Sequence, residues 1–333
     1  MTAPLLITMG DPTGVGPEII IKALIEDALP KDRPLTVVGD AAVLARAARI
    51  FTSDIILSET SGPLSSHTLS VAERSLALQT ISNLDAKSLR YGTPDAACGQ
   101  AMLDYIEWAI ARCRTGEAAG MVTAPISKAA IHAAGCHFPG HTELLAERCG
   151  IDKVVMMLAG SRLRVSLVTT HLALSEVPSR LTVDEIVATI RITDQDLRTF
   201  FGITQPKIAV LALNPHASEG GMFGNEEAQL ITPAIAAARS CGIEASGPHS
   251  ADTLFHFATN GSYDAVVCMY HDQGLIPLKL LHFEDGVNVT LGLPIVRTSV
   301  DHGTAYDIAG HGKASAASLV AAVKMAVDMS RHI

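Results

Sequence analysis

The chain has 333 residues, of which 48% are hydrophobic and 18% are charged. This balance is typical of a compact protein with one or two buried cores and excludes a disordered chain. The net charge of −9 excludes a strongly basic nucleic-acid-binding protein, although a local phosphate pocket is compatible with it. The six cysteines form no C-x-x-C pair, and the chain shows neither a signal peptide nor a membrane-spanning apolar run. We therefore expect a cytoplasmic protein with reduced thiols and with no nucleic-acid or membrane partner.

Short apolar runs rich in β-branched residues alternate with longer amphipathic runs along the chain. This alternation predicts an α/β fold with a parallel sheet covered on both faces. The predicted strands are residues 5–9, 35–39, 119–124, 154–160, 164–170, 207–213 and 264–270. The predicted helices are residues 17–28, 41–49, 95–114, 127–134, 142–149, 183–201, 225–240 and 314–329. Pro17, Asp184 and Glu185 suit first helical turns. Residues 51–92 are the least regular part, and their polar stretch SGPLSSH (61–67) predicts a surface loop.

A glycine-rich loop, GDPTGVG (10–16), joins the first predicted strand to the first predicted helix. Its glycines run G-x-x-x-G-x-G, which differs in spacing and order from the G-x-G-x-x-G dinucleotide fingerprint. Pro17 also removes an N–H that a Rossmann helix would present. We therefore interpret Asp40, at the end of the next predicted strand, as a turn residue and not as a ribose ligand. The sequence of this loop therefore argues against a Rossmann fold.

Three histidines each follow a predicted strand: His171 ends RVSLVTTH, His216 ends KIAVLALNPH, and His271 lies in DAVVCMYHDQG. The carboxyl ends of parallel strands share one edge of a sheet, where ligands bind. Three imidazoles at that edge suit a divalent transition metal with positions left open for substrate. The alternative is chance, since the chain has 13 histidines. Asn214 and Asp272 either orient such a site or cap turns.

A second cluster, CHFPGHTELLAE (136–147), places a Pro139–Gly140 turn before a predicted helix. Thr142 is the expected N-cap, and Glu143 would complement the helix dipole. The functional alternative is that His141 and Thr142 face an anion at the helix N-terminus.

The stretch 278–310 is rich in glycine and polar residues. Lys279, Asn288 and Arg297 could converge on a phosphate, with arginine as a fork and lysine as a point charge. The alternative is that the two cations are ordinary surface residues. The glycines of DHGTAYDIAGHG (301–312) would allow close approach of a cofactor, but this is neither a Rossmann nor a Walker motif.

Together, these stretches resemble the 4-hydroxythreonine-4-phosphate dehydrogenase family of pyridoxine biosynthesis. The resemblance runs essentially end to end and is carried by GDPTGVGPE, TAPISK, FPGHTE, VTTHLAL, LNPHASEGG, ADTLF, MYHDQGLIPLK, GVNVTLGLP and RTSVDHGTA. The opening loop also resembles the GDGIGPE start of isocitrate and isopropylmalate dehydrogenases. The resemblance implies two α/β/α lobes of the isocitrate/isopropylmalate dehydrogenase-like fold, with a cleft between them. Residues 1–125 plus 280–333 would form the cofactor-side domain, and 126–279 the metal, substrate and dimerisation domain.

The resemblance also implies the site residues. His171, His216 and His271 would bind one divalent metal, with the set completed across a homodimer interface. The resemblance does not decide whether the metal is zinc, magnesium, manganese or cobalt. Imidazole ligands favour zinc or cobalt. The implied substrate contacts are His141, Thr142, Lys279, Asn288 and Arg297, with Asp252 of SADTLF as a further one. The dinucleotide, NAD or NADP, would lie against Asp301, Gly303, Thr304 and Gly310.

The implied reaction is NAD(P)-dependent oxidation of 4-phosphooxy-L-threonine to 2-amino-3-oxo-4-phosphooxybutanoate in pyridoxal 5'-phosphate biosynthesis. That product would decarboxylate to 3-amino-2-oxopropyl phosphate. Relatives with similar motifs oxidise other diols. The substrate could therefore instead be 4-phosphothreonate, 4-phosphoerythronate or a carboxylated cyclohexadiene diol. The general base is a lysine, a histidine or a metal-bound group. Two other classes stay open: a phosphate acyltransferase of the same fold, and a non-catalytic metabolite-binding protein.

Overall fold

The computed structural model describes residues 2–62, 64–136, 138 and 140–333. By its internal contacts the chain divides into two compact units: Met1–Asp152 with Leu293–Ser330 (unit 1), and Lys153–Gly292 with Arg331–Ile333 (unit 2). Both units are α/β, as predicted. The predicted domains assign residues 126–152, 280–292 and 331–333 differently from these units. The division of those segments between a cofactor domain and a substrate domain stays a prediction.

Strands and helices alternate along most of the chain. The strands are β1 (Leu5–Thr8), β2 (Leu35–Gly39), β3 (Ile55–Gly62), β4 (Ser65–Val71), β5 (Arg74–Thr80), β6 (Gly120–Thr123), β7 (Val155–Ala159), β8 (Arg164–Leu167), β9 (Ile208–Leu211), β10 (Ala245–His249), β11 (Ala265–Cys268), β12 (Val287–Leu291) and β13 (Arg297–Val300). The helices are α1 (Gly16–Ile25), α2 (Ala41–Ala48), α3 (Ala96–Arg114), α4 (Lys128–Ala133), α5 (His141–Cys149), α6 (Val177–Arg180), α7 (Val183–Thr199), α8 (Thr232–Ser240), α9 (Ala251–Thr259), α10 (His271–Leu281) and α11 (Ala317–Met329).

The strands of unit 1 follow the order β13-β6-β1-β2-β5-β4-β3. The pairs from β13 to β5 are parallel, whereas β5–β4 and β4–β3 are antiparallel. Leu5, Leu6 and Ile7 of β1 are fully buried, as a strand covered on both faces requires. The apolar runs that predicted β1, β2 and β6 therefore lie in the core of unit 1, whereas β3, β4, β5 and β13 were not predicted.

The prediction of a surface loop at residues 61–67 is wrong. β3 runs to Gly62 and β4 begins at Ser65, so most of this polar stretch lies in a hairpin; Pro63 is outside the described residues. Antiparallel strands with one solvated face alternate polar and apolar residues. Leu69 and Val71 are the buried members of that alternation in β4, and the serines between the apolar residues conceal the strand in the sequence.

The strands of unit 2 follow the order β10-β9-β11-β8-β7-β12. β9, β11 and β8 are parallel, as predicted, and β10, which was not predicted, pairs parallel with β9. The core of this sheet includes Val165, Leu211, Val266 and Leu278. The prediction of a parallel sheet is wrong for β7, which runs antiparallel to both β8 and β12. Only four residues join β7 to β8, and a parallel crossover needs a dozen or more.

The residues that were predicted to lie in first helical turns are found there. Pro17 lies in the first turn of α1, and Asp184 and Glu185 lie in the first turn of α7. Asp40 is the N-cap of α2: Oδ1 accepts two backbone N–H groups of that helix, and Oδ2 accepts hydrogen bonds from the Ser82 hydroxyl and a loop N–H. Both oxygens of Asp40 are thus engaged within the fold, as expected for a turn residue. No described helix is long and apolar enough to cross a membrane.

Candidate active site

The carboxyl ends of β8 and β11 bring His171 and His271 together. Pairing continues beyond these parallel strands, since the N–H and hydroxyl of Thr169 donate to the Met269 carbonyl at 3.2 and 2.7 Å. The two imidazole centroids lie 5.7 Å apart, with ring planes inclined by 43°. Both rings line a pocket of about 330 Å³, to which Asp272 also contributes. The predicted convergence at this sheet edge is therefore present for two of the three histidines.

The orientation of His271 is fixed by its neighbour. His271 is the first residue of α10, and its Nδ1 lies 2.7 Å from the Asp272 carboxylate. Because a carboxylate only accepts, we assign the hydrogen to Nδ1, which leaves the lone pair on Nε2. A carboxylate behind an imidazole is the usual arrangement at metal-binding histidines.

His216 lies beyond the end of β9, the parallel neighbour of β11. Its segment, Pro215–Gly221, is a tight turn in which residues 216–220 all have positive φ. Within the described part of the chain, no group of three histidine, cysteine, aspartate or glutamate side chains could hold a metal. The third predicted ligand thus shares the sheet edge but is not grouped with the other two. The three-histidine site stays a prediction.

Two further predicted residues lie near the His216 turn. The Asn214 amide donates to the carboxylates of Glu226 and Glu227 at 2.7 and 3.0 Å. Asp252, in the first turn of α9, accepts a hydrogen bond from the Ser250 hydroxyl at 2.6 Å. That hydrogen bond, together with the charge of His216, lowers the pKa of Asp252. Asp252 and His216 are therefore electrostatic neighbours.

Lys279 and Asn288 lie on either side of the connection from α10 to β12. Lys279 is in the last turn of α10, with Nζ 5.9 Å from the centroid of the Phe283 ring. Asn288 is partly exposed on β12 and pairs with Leu158 of β7. Unit 2 therefore presents one cation and one amide from adjoining elements.

His282 fixes that connection and was missed by sequence analysis. Its side chain is buried, and its ring packs so closely on Gly160 that a Cβ there would lie 2.3 Å from the ring. Nδ1 lies 3.1 Å from the Asp285 carboxylate, and the Arg162 N–H points at Nε2 over 3.4 Å. Only Gly160, a small residue in the β7–β8 turn, hinted at such a contact in the sequence.

Unit 1 carries Arg297 on β13, and its side chain is buried. Burial lowers the pKa of Arg297 to about 10, so the guanidinium stays charged at neutral pH. The interpretation of Arg297 as an ordinary surface cation is therefore wrong. A buried guanidinium with a fixed fork suits a phosphate or a carboxylate.

His141 is the first residue of α5, and its Nε2 is buried with no hydrogen-bond partner among the described residues. Burial lowers the pKa of His141 well below its usual range, and the charges of Arg297 and Lys128 lower it further. The ring is therefore neutral at pH 7. The prediction that Thr142 is the N-cap is wrong: the cap is Gly140, and Thr142 is the second helical residue. Pro139 of the predicted turn lies outside the described residues.

The predicted cofactor loop packs against the opening loop within unit 1. The Val15 N–H donates to the Thr304 carbonyl at 3.1 Å, and the Gly310 N–H donates to Glu18 at 2.7 Å. These contacts join the two glycine-rich segments, GDPTGVGPE and DHGTAYDIAG, that the sequence singled out. The sequence did not reveal that they touch, since almost 300 residues separate them.

The glycines of the cofactor loop serve different purposes. Gly303 is exposed, and a Cβ there would meet nothing within 4 Å. Gly310 has a φ of 83°, and a Cβ there would lie 2.4 Å from the Tyr91 ring, so packing alone requires this glycine. Asp301, which precedes Gly303, is partly exposed, and its N–H donates to the Ser318 hydroxyl at 3.1 Å. The surroundings of Gly303 are therefore open, whereas the Cβ side of Gly310 is filled by Tyr91.

Comparison with known proteins identifies the family. Residues 31–326 match the family described as pyridoxal phosphate biosynthetic protein PdxA. The 4-hydroxythreonine-4-phosphate dehydrogenase of Geobacter metallireducens is 57% identical over 330 residues, covering 98% of this chain and 95% of that protein. The crystal structure of 4-hydroxythreonine-4-phosphate dehydrogenase from Klebsiella pneumoniae matches with a TM-score of 0.87 and 41% identity, over 99% of this chain and 98% of that one. A terephthalate 1,2-cis-dihydrodiol dehydrogenase from Burkholderia xenovorans matches with a TM-score of 0.67 and 30% identity, over 98% of each chain. The chain therefore belongs to the PdxA family of pyridoxal phosphate biosynthetic proteins and has the α/β fold of its solved dehydrogenases.

Proposed function

We propose that this chain oxidises 4-phosphooxy-L-threonine to 2-amino-3-oxo-4-phosphooxybutanoate with NAD or NADP, the product then losing carbon dioxide to give 3-amino-2-oxopropyl phosphate. The observation that carries the proposal is the 57% identity with a 4-hydroxythreonine-4-phosphate dehydrogenase over 98% of the chain. The paired His171 and His271 rings and the buried Arg297 are consistent with this chemistry.

We propose His171, His216 and His271 as ligands of one divalent metal. Two of these imidazoles lie together, and Asp272 leaves the Nε2 lone pair of His271 for a cation. Such a donor set fits zinc or cobalt better than magnesium or manganese. When bound, the metal would polarise the substrate hydroxyl and the later carbonyl, and the dinucleotide would accept the hydride.

A homodimer completes this proposal, because one chain groups only two of the three histidines. Ile276, Leu280 and Phe283 are 67, 85 and 79% exposed and follow one another at spacings of four and three residues. Ile276 and Leu280 therefore lie on one side of α10, and Phe283 lies just beyond the end of that helix. A contiguous exposed apolar surface favours association with another protein surface. These three side chains lie on α10, the helix that begins with His271, or just after its end. A second copy of the chain bound to them would therefore contact the helix that carries His271.

The remaining predicted residues would bind and orient the substrate and the cofactor. Arg297 supplies a fixed positive fork for the phosphate or the carboxylate, and Lys279 supplies a point charge. The proposed alternatives for the general base are His141, which is neutral at pH 7, an uncharged Lys279, and a metal-bound group. The other proposed contacts are Thr142, Asn288 and Asp252 for substrate, and Asp301, Gly303, Thr304 and Gly310 for the dinucleotide.

A turnover assay tests the proposal. Purified protein supplied with zinc or cobalt and with NAD or NADP should produce reduced nicotinamide with 4-phosphooxy-L-threonine. A kcat/KM higher for 4-phosphothreonate or 4-phosphoerythronate would reassign the substrate within the same reaction. No nicotinamide reduction with any of the three would contradict the proposed chemistry and leave the acyltransferase or binding-protein alternative.

A second candidate substrate is a carboxylated cyclohexadiene diol. The likeness to the Burkholderia xenovorans enzyme at a TM-score of 0.67 and 30% identity favours it. The same assay with terephthalate 1,2-cis-dihydrodiol separates the two, because that diol carries no phosphate for Arg297 or Lys279 to bind.

A further inference from the structure

One buried carboxylate anchors the chain segment that leads to His216. Glu227 is 3% exposed. Its Oε1 accepts the backbone N–H groups of Leu213 and Asn214 at 2.8 and 2.7 Å, and its Oε2 accepts the Asn214 amide at 3.0 Å. Three donors therefore converge on Glu227 from Leu213 and Asn214, the second and third residues after the end of β9. These hydrogen bonds fix the backbone just before His216.

The turn that carries His216 has an unfavourable backbone conformation. Residues 216–220 have φ between 46° and 69°, and only Gly220 among them is a glycine. The left-handed region disfavours residues with a Cβ, which usually visit it singly and not in runs. Such a conformation persists only where the surrounding structure holds it, and it is concentrated at functional sites.

The contacts that hold the turn lie on both sides of His216. After it, the buried Ser218 accepts hydrogen bonds at its carbonyl from the N–H groups of Met222 and Phe223. Before it, Glu226 joins Glu227 in accepting hydrogen bonds from the Asn214 amide. Glu227 also begins a π-helical turn, Glu227–Ile231, and such turns are frequent at functional sites.

We propose that Glu227 is a positioning residue that holds the left-handed turn so that the His216 imidazole is presented to a divalent metal. This inference rests on the proposed role of His216 as a metal ligand. We assign Glu227 no ligand role, because its carboxylate is buried and is used to hold Leu213 and Asn214. It acts through the backbone of Leu213 and Asn214 and through the Asn214 side chain.

The Glu227→Gln variant weakens the anchor with almost no change in side-chain shape, since one carbonyl oxygen remains to accept the two backbone N–H groups. Its amide nitrogen cannot accept the hydrogen bond from the Asn214 amide, because both groups are donors. The matched control is Glu244→Gln, the same change at an exposed glutamate of unit 2. Asn214→Ala is the second variant, since it removes the side-chain donor and keeps Glu227. Circular dichroism and the melting temperature of the metal-free proteins check that each variant folds.

The measurement is the dissociation constant for Co²⁺, obtained by competition with a chelating dye and followed by the d–d absorption of the bound ion. We expect Glu227→Gln to weaken binding about tenfold, as losses of outer hydrogen-bond partners at metal sites do, with a changed d–d spectrum. Asn214→Ala should act in the same direction, and Glu244→Gln should bind as the wild type does. Wild-type affinity and spectrum in Glu227→Gln, or equal weakening in Glu244→Gln, would overturn the positioning role. If Glu227→Gln does not fold, wild-type affinity in Asn214→Ala overturns it instead.

The His216→Ala variant separates this inference from the proposed function. If His216→Ala binds Co²⁺ as tightly as the wild type, the ligand role of His216 fails, and the positioning role fails with it. If His216→Ala loses the ion while Glu227→Gln retains it fully, the ligand role stands and only the positioning role is wrong.

Discussion

The guanidinium of Arg297 donates a hydrogen bond from Nη2 to the hydroxyl of Thr123 at 2.7 Å. Both side chains are buried, and they come from the neighbouring parallel strands β13 and β6. A strand pair therefore fixes one end of a charged fork, which leaves little freedom for its orientation. A cation held in this way is prepared for an anionic group of defined position.

The Arg297→Lys variant tests this arrangement. Lysine keeps the charge but loses the planar fork, and a hydrogen bond to a charged group contributes roughly 1.5–3 kcal/mol. We expect kcat/KM for the phosphorylated substrate to fall about tenfold or more, while the KM for the dinucleotide stays constant. Steady-state kinetics measure both, with the exposed Arg49→Lys as the control. An unchanged kcat/KM in Arg297→Lys would remove this residue from the substrate site.

The pKa of His141 gives a prediction about stability and pH. Burial, with the charges of Arg297 and Lys128, holds this pKa well below 6.5 in the folded protein. Below pH 6.5 the unfolded chain therefore binds a proton that the folded chain does not. The contribution of His141 is complete above pH 6.5 and is lost as the pH falls towards the folded pKa, by at most about 1.4 kcal/mol per pH unit.

Urea denaturation at several pH values between 5 and 8 measures this effect. We expect the free energy of unfolding to fall less steeply with decreasing pH in His141→Gln than in the wild type. The exposed His311→Gln is the control and should keep the wild-type slope. Identical slopes in His141→Gln and the wild type would show that the folded protein does not disfavour the charged imidazole.

The exposed position of His216 separates its effect on activity from its effect on folding. Because the side chain is exposed on a turn, His216→Ala should abolish dehydrogenase activity and leave the circular dichroism spectrum and the melting temperature nearly unchanged. Chelator-treated wild-type protein should also be inactive and should recover with zinc or cobalt. Full activity in either the variant or the metal-free protein would contradict the proposed metal role.

Features that follow from local sequence patterns or from the general geometry of parallel sheets could be predicted, and features that depend on specific side-chain packing could not. Continuous apolar runs such as Leu5–Thr8 indicated buried strands, and Asp40 was identified as a turn residue from its place after a strand. The meeting of His171 and His271 followed from parallel strand ends. By contrast, no local pattern showed that Glu227 would accept hydrogen bonds from Asn214. That contact depends on how a helical turn folds back on a strand end.

The contact between His282 and Gly160 is of this second kind and gives the last prediction. A Cβ at Gly160 would lie 2.3 Å from the His282 ring, so Gly160→Ala should force the ring away from Asp285 and destabilise the protein. His282→Ala should destabilise it by about 2 kcal/mol, since it removes a buried side chain and leaves the Arg162 N–H without its acceptor. In the double variant the new methyl group enters the space that the ring has left.

Urea denaturation of the wild type, the two single variants and the double variant forms a double-mutant cycle. We expect the double variant to be clearly more stable than the sum of the two single losses predicts, because the clash exists only when both the methyl group and the ring are present. Since the ring holds the connection between Lys279 and Asn288, His282→Ala should also raise the KM for phosphorylated substrate more than it lowers kcat. Additive losses of stability in the cycle would show that the close contact does not exist in solution.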